Sequence, residues 1–272
     1  MTVLQSMLFV PGNKPERFAK ALASGADSVC IDLEDAVPAE QKVEARAAAL
    51  VAVETDPRIA IRINALSTRF GIADLLALAE AEKRPSLVYL PMVETAGEVA
   101  IARSVMGDAS VGLIPLIETV QGLGNAAEIA ADPSVAMMML GGADFSVQLG
   151  VTLSWEPLLL ARSQLIMACA GAGKGAIDVP WVQFDDKAGL EDETRKAKAL
   201  GFAAKGAIHP AQIETIHAVM RPTAEEIAEA REAEVVFAEA NGGAVRFRGK
   251  MLDAPIIKRF RQILAIGDNH NA

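Results

Sequence analysis

Three charged residues in this 272-residue chain draw attention by where they fall in apolar runs. GLIPLIE ends on Glu118 and AMMMLGGAD ends on Asp144. Short, continuous apolar runs that break at polar or glycine-rich sequence read as strands buried on both faces, the pattern of a parallel sheet. Loops at the carboxyl ends of such strands carry function. Two acids at the ends of successive strands therefore read as a metal or acid/base site, with a pair of caps for the following helices as the alternative. Two hard oxygen ligands suit Mg²⁺, which keeps several waters and needs only one or two carboxylates plus substrate oxygens. The third residue, Arg62, lies inside IAIRIN. A guanidinium is rarely buried without a partner. Its planar fork would hold a substrate carboxylate bidentately, or it pairs structurally with Asp32, Glu34 and Asp35; the two roles are compatible, with those acids fixing the arginine.

Other reactive residue types add little. The chain has three histidines, so a histidine-rich zinc site is not expected, and no cysteine pair replaces one. His209, after an apolar run, reads as a satisfied strand-end histidine. No GxSxG elbow occurs, and no Cys/His pairing points to covalent catalysis. Lys14 and Arg17 follow the first apolar run, where they would meet an anion at a rim or simply face solvent. The Met137-Met138-Met139 run reads as core.

Eight strand candidates must position these groups: 7–10, 28–33, 59–64, 87–91, 111–117, 135–140, GAIDVP and KGAIHP. Helical patterns separate them, at about 15–23, 40–53, 68–83, 95–106, 123–131, 157–171 and 190–200. A polar loop is expected between the sixth strand and the helix near Pro157. Such alternation over roughly 220 residues predicts an α/β fold, a (β/α)8 TIM barrel over residues 1–220. An open doubly wound sheet is disfavoured because the first turn lacks GxGxxG, and no Walker motif occurs. Beyond Arg221-Pro222 the pattern changes to a long Ala/Glu-rich helix with Thr223 as N-cap, then NGG, a strand-like piece and a basic helix. Residues 221–272 read as a C-terminal helical extension, too short for a core of its own, packing on the barrel, on a neighbouring subunit or over the mouth as a lid.

Hydrophobic residues make up 51% of the chain and aromatics only 4%, so the core must be aliphatic. A formal net charge of -9 argues against nucleic acid or an anionic membrane as the main partner. No apolar run approaches the roughly 18 residues of a membrane span, and no leader pattern precedes Pro11-Gly12. With Cys30 and Cys169 reading as buried free thiols, the expectation is a soluble cytoplasmic protein.

LFVPGNKPERFAKAL, DLEDAVP, RIN, LPMVET, LIPLIET, GGADFSVQLG, KGAIHP and MLDAP follow in that order. Together they resemble the citrate lyase beta-subunit-like family, which includes malyl-CoA and citramalyl-CoA lyases, within the HpcH/HpaI aldolase superfamily. The resemblance implies a (β/α)8 barrel, Mg²⁺ held by carboxylates, and cleavage or formation of a C–C bond next to a coenzyme A thioester. The products would be an acyl-CoA and a 2-oxo acid such as oxaloacetate, glyoxylate or pyruvate. It implies that Glu118 and Asp144 are the metal ligands and that Arg62 binds the substrate carboxylate, with Glu34 and Asp35 behind it. Lys14 sits in the motif that binds the coenzyme, and Asp253 matches an acid given to the site by a neighbouring subunit. A homotrimer or hexamer is implied too. The chain has Gln5, Met92 and Ala143 where the family commonly has Arg, Lys and Glu. Two other readings stay open: a coenzyme-independent aldolase of a hydroxy-oxo acid, and a non-catalytic accessory subunit that binds an oxo acid.

Overall fold

The computed structural model describes residues 4–270. Eight parallel strands close into a barrel: β1 (Ser6–Pro11), β2 (Ser28–Asp32), β3 (Ile59–Arg62), β4 (Leu87–Leu90), β5 (Gly112–Ile117), β6 (Met137–Leu140), β7 (Gly175–Asp178) and β8 (Ala204–Ala207). Each pairs with the next, and β8 returns to β1 through Ser6↔Lys205, Met7↔Gly206 and Leu8↔Ala207. The helices of the barrel are α1 (Phe18–Leu22), α2 (Lys42–Val53), α3 (Arg69–Glu80), α4 (Ala96–Met106), α5 (Val120–Gly124), α6 (Ala126–Ala130), α7 (Gly142–Leu149), α8 (Trp155–Gly171), α9 (Lys187–Leu200) and α10 (Gln212–Met220). The expected (β/α)8 barrel is the observed one.

Side chains of alternate strand positions fill the barrel. Met7, Cys30, Ala60, Leu87, Tyr89, Ile114, Leu116, Met139, Ile177 and Ala204 form one buried cluster. Small Ala60 and Ala204 leave room for Tyr89, so the interior is a packed core and not a pore. Each of the larger aliphatic side chains contributes about 1.5–3 kcal/mol by leaving water. Local signals fix where helices begin. Thr68 accepts a bond from the Gly71 amide at 3.1 Å, Thr119 from Gly122 at 3.0 Å, and Asp186 from Gly189 at 2.8 Å. Each satisfies an amide that a helix start leaves unpaired.

Three sequence expectations need correction. Asp144 does not end a strand: β6 stops at Leu140, and Asp144 lies in the first turn of α7, in a stretch expected to be loop. The single helix expected over 123–131 is two short ones that meet at Asn125, whose side-chain amide turns aside to the Glu94 carbonyl. The tail also has a core of its own. The described chain divides into two compact units, 4–217 and 218–270. The second holds α11 (Ala224–Glu239), the antiparallel pair β9 (Val245–Phe247) and β10 (Lys250–Leu252), and α12 (Ala254–His270). Ala233, Phe237, Phe247, Leu252 and Ile257 cluster inside it, and Phe260 meets Phe247 edge-on at 6.0 Å. The hairpin turn at Arg248-Gly249, both left-handed, folds aromatic and aliphatic groups onto one face. Among the described residues no helix is long and apolar enough to cross a membrane.

Candidate active site

The carboxyl ends of the strands open into a cleft of about 320 Å³. Asp32, Asp35, Arg62, Glu118 and Asp144 line it together with Phe9, Leu116, Met139, Val179 and Ile208. Arg62, Glu118 and Asp144, 82 positions apart from first to last in the sequence, thus share one cavity.

Arg62 ends β3 opposite Asp32 on β2 in the register of the sheet. The two make a bidentate pair, Nε to Oδ1 and Nη2 to Oδ2, each 2.8 Å. Glu34 Oε2 lies 2.8 Å from Arg62 Nη1, yet no donor is aligned to hydrogen-bond that buried oxygen. Asp35 stands further off at 3.8 Å, and the Phe9 ring faces the guanidinium at 5.5 Å. Burial works against the charge on Arg62, but Asp32, Glu34 and Glu118 outweigh it and raise its pKa well above the ordinary value. The ion pair and the cleft-facing position hold together, as the sequence allowed.

Glu118 follows β5 directly, and the cap of the next helix is Thr119, so Glu118 is not a capping residue. Its Oε2 accepts the Met92 amide at 2.7 Å. Met92 reaches that position with φ 55, a left-handed conformation that costs a non-glycine residue about 1–3 kcal/mol. On the other side the Glu118 side chain lies against Gly141, where a Cβ would fall 2.6 Å from the carboxyl carbon. Burial pushes the Glu118 carboxyl up to about 7; the Met92 amide and Arg62 oppose this, and Asp144 and Asp35 add to it. Burial likewise pushes Glu34 up to about 8, against the pull of Arg62.

Five carboxylates therefore crowd one guanidinium, and two of them are held partly protonated near neutrality. A cation would relieve that imbalance. The donors are all oxygens, the buried Glu34 Oε2 has no aligned hydrogen-bond donor, and α7 starts at Gly142 with no side-chain cap on its amides. Among the described residues no group of three or more His, Cys, Asp or Glu side chains forms a closed metal cage. The chemistry suits a hard dication that takes two carboxylates and completes its shell from water and ligand oxygens.

A second cleft, of about 360 Å³, shares Phe9, Val10, Pro11 and Ile208 with the first and carries Arg17, Lys20 and His209. Lys20 was not legible as a site residue, because it looks like an ordinary solvated helix position. Lys14 is exposed in the β1–α1 loop and lines neither cleft. Gln5 sits buried at the amino end of β1, the end opposite the cleft-lining Pro11, so its difference from the family does not touch the cavity. Asp253 lies in the second unit, where its Oδ1 accepts the Ile256 amide at 3.2 Å at the start of α12.

Behind the cleft, Lys42 donates to the Leu33 and Glu34 carbonyls and to Asn64 Oδ1. Asn64 donates to Asp74, which Arg46 meets from α2. These bonds set the loop that carries Glu34 and Asp35. A Ser–His–Asp contact elsewhere lacks nucleophile geometry. His217 Nε2 meets both Ser6 Oγ (2.7 Å) and Asp27 Oδ2 (3.3 Å). A triad would use the two ring nitrogens separately, and Ser6 is fully buried at the amino end of β1.

Residues 5–210 match the HpcH/HpaI aldolase/citrate lyase family. The (3S)-malyl-CoA thioesterase of Cereibacter sphaeroides is 34% identical over 96% of this chain and 93% of its own. The crystal structure of CitE from Mycobacterium tuberculosis in complex with magnesium, acetoacetate and coenzyme A is 35% identical, with a TM-score of 0.82 over 97% of this chain and 98% of that one. The citrate lyase beta subunit complexed with oxaloacetate and magnesium, from the same organism, is 37% identical with a TM-score of 0.71, covering 81% and 98%. The chain belongs to the HpcH/HpaI aldolase/citrate lyase family.

Proposed function

We propose that this member of the HpcH/HpaI aldolase/citrate lyase family is a Mg²⁺-dependent carbon–carbon lyase. It splits a 3-hydroxyacyl-CoA thioester into an acyl-CoA and a 2-oxo acid, and joins them in reverse. The observation that carries this reading is the cleft with excess negative charge, in which Glu118, Asp144 and Arg62 meet at the carboxyl ends of the strands. Glu118 and Asp144 would hold the ion, which supplies Lewis-acid polarisation of the oxo acid's carbonyl and a template for its oxygens. Relatives whose structures contain magnesium with coenzyme A or with oxaloacetate support the same choice.

Arg62 is held rigid by Asp32 and Glu34, so its remaining donors are fixed before substrate arrives. It orients the oxo-acid end and offsets charge that develops on oxygen. In cleavage the 3-hydroxyl would give its proton to water, the C2–C3 bond breaks, and the electron pair passes into the thioester enolate. That enolate takes a proton at C2, and Asp253 is the group assigned to carry it. The Arg17, Lys20 and His209 cleft beside the first suits the coenzyme's phosphates, which favours a thioester over a coenzyme-independent aldol. A trimer or hexamer would bring Asp253 to a neighbour's cleft; sedimentation of the purified protein tests that state.

A panel of acyl-CoA with oxo acid, with and without Mg²⁺, tests the reaction. Metal-dependent condensation is expected. Release of free coenzyme A with no carbon–carbon step would make the protein a thioesterase, and no turnover at all would favour an oxo-acid-binding subunit. Asp253→Asn should keep metal binding and lose exchange of the acyl-CoA methyl protons; normal exchange would sink that role.

A further inference from the structure

One end of the cleft is built for a carboxylate, and the remainder is not. Arg62, the Glu118–Asp144 pair and the uncapped start of α7 supply positive character at that end once a dication is held. The other walls are Leu116, Met139, Leu153, Val179, Pro180 and Ile208. Among the described residues lining the cleft, Arg62 is the one cation. Three of its nitrogens already face Asp32 and Glu34. With a dication present and the four lining acids, Asp32, Asp35, Glu118 and Asp144, ionised, three positive charges would face four negative ones. The first ligand carboxylate would be received by the held dication, the arginine and the helix amides. A second would lie on hydrocarbon inside a negative field, where it loses hydration without gaining a partner.

We propose that the oxo acid of this site carries a single carboxylate and either no substituent or a small apolar one. Glyoxylate and pyruvate fit that class, whereas oxaloacetate does not. This inference rests on the lyase reading. The relatives' structures hold both a monocarboxylate, acetoacetate, and a dicarboxylate, oxaloacetate, so the walls of this particular cleft make the choice. The methyl of pyruvate would pack on the aliphatic wall formed by Met139, Val179 and Ile208, and the carboxymethyl of oxaloacetate would place its charge there.

Calorimetric titration of the Mg²⁺-loaded protein with pyruvate, 2-oxobutyrate and oxaloacetate reads the preference without turnover, and condensation with acetyl-CoA reads it in kcat/KM. Pyruvate should bind at least about tenfold more tightly than oxaloacetate. Val182→Arg places a cation on an exposed part of the lining, and Ile208→Arg places one deeper. Val182→Arg is the safer to fold, and at least one of the two should narrow the ratio. Equal or tighter binding of oxaloacetate, or a ratio unmoved in both folded variants, overturns the inference while condensation still supports the lyase. If no oxo acid binds or condenses, the lyase reading and this inference fall together.

Discussion

Arg162 on α8, Asp178 at the end of β7, Glu193 on α9 and Lys205 on β8 form a second buried cluster of charge, between the barrel wall and its helices. Arg162 Nε and Lys205 Nζ each meet Asp178 at 2.8 Å, and Lys205 reaches Glu193 at 2.9 Å and the Val179 carbonyl at 2.9 Å. Two anions face two cations, all of them buried, and the Trp155 ring covers Arg162 at 4.5 Å. Burial opposes the charge on Asp178, yet Lys205 and Arg162 hold its carboxyl below the usual carboxylate range. In the cleft, by contrast, one arginine faces four lining acids with Glu34 behind them, and burial drives Glu118 and Glu34 in the opposite direction. The same residue types therefore serve two ends: a neutralised cluster contributes to structure, and an unneutralised one is poised to take up a cation.

Substitutions should separate the two most clearly in what they damage. Glu118→Gln should reduce Mg²⁺-dependent cleavage by about a thousandfold or more while leaving the metal-free protein at least as resistant to urea. Asp178→Ala leaves two buried cations to share Glu193 and should cost about 3–5 kcal/mol in urea unfolding, with Mg²⁺ affinity of the folded fraction unchanged. Equal stability losses in both variants would erase the distinction.

The pH dependence of stability should also divide. Between about pH 5 and 8 the folded metal-free protein keeps protons on Glu118 and Glu34 that the unfolded chain has released. Stability should therefore fall by several kcal/mol as pH rises through that window, at about 1.4 kcal/mol per pH unit for each carboxyl that stays protonated, and saturating Mg²⁺ should reduce the fall by displacing the Glu118 proton. Asp178 acts in the other sense: its contribution is present above the unfolded carboxylate pKa and is lost as pH falls through its lowered folded value. Urea midpoints from pH 3 to 8, with and without the ion, read both limbs.

Smaller effects are expected behind the cleft. Lys42→Met removes three bonds to the loop bearing Glu34 and should lower kcat about tenfold, with a stability loss of about 1–2 kcal/mol, partly restored by Lys42→Arg. Met92→Gly should raise stability by about 0.5–1 kcal/mol by relieving the left-handed backbone, with activity kept because the amide to Glu118 remains.

The barrel was legible because each strand is a short apolar run and each helix has a periodic face, and Glu118 drew attention because it ends such a run, although Asp178 ends one too and serves structure. Asp144 was placed correctly in space by the same logic but in the wrong element. The start of α7, GGAD, lacks the apolar periodicity and the capping residue that announce a helix. The neutralised cluster escaped entirely. Asp178 and Lys205 lie in strand runs, and their partners are 16, 27 and 12 positions away. Only closure of the barrel and packing of α8 and α9 bring them together. The tail's core escaped for a similar reason, since Phe237, Phe247 and Ile257 become neighbours only when the hairpin turns.

Glu118 is gripped from one side by a main-chain amide and from the other by the missing side chain of residue 141. Neither grip depends on what side chain stands at position 92, which is 38% exposed. Position 92 can thus change among residues that accept a left-handed backbone and keep an amide, without unseating the carboxylate, whereas position 141 admits glycine alone. A directed-evolution library would find latitude at the first and a hard boundary at the second, so the route by which this barrel can acquire other specificities is written into its backbone.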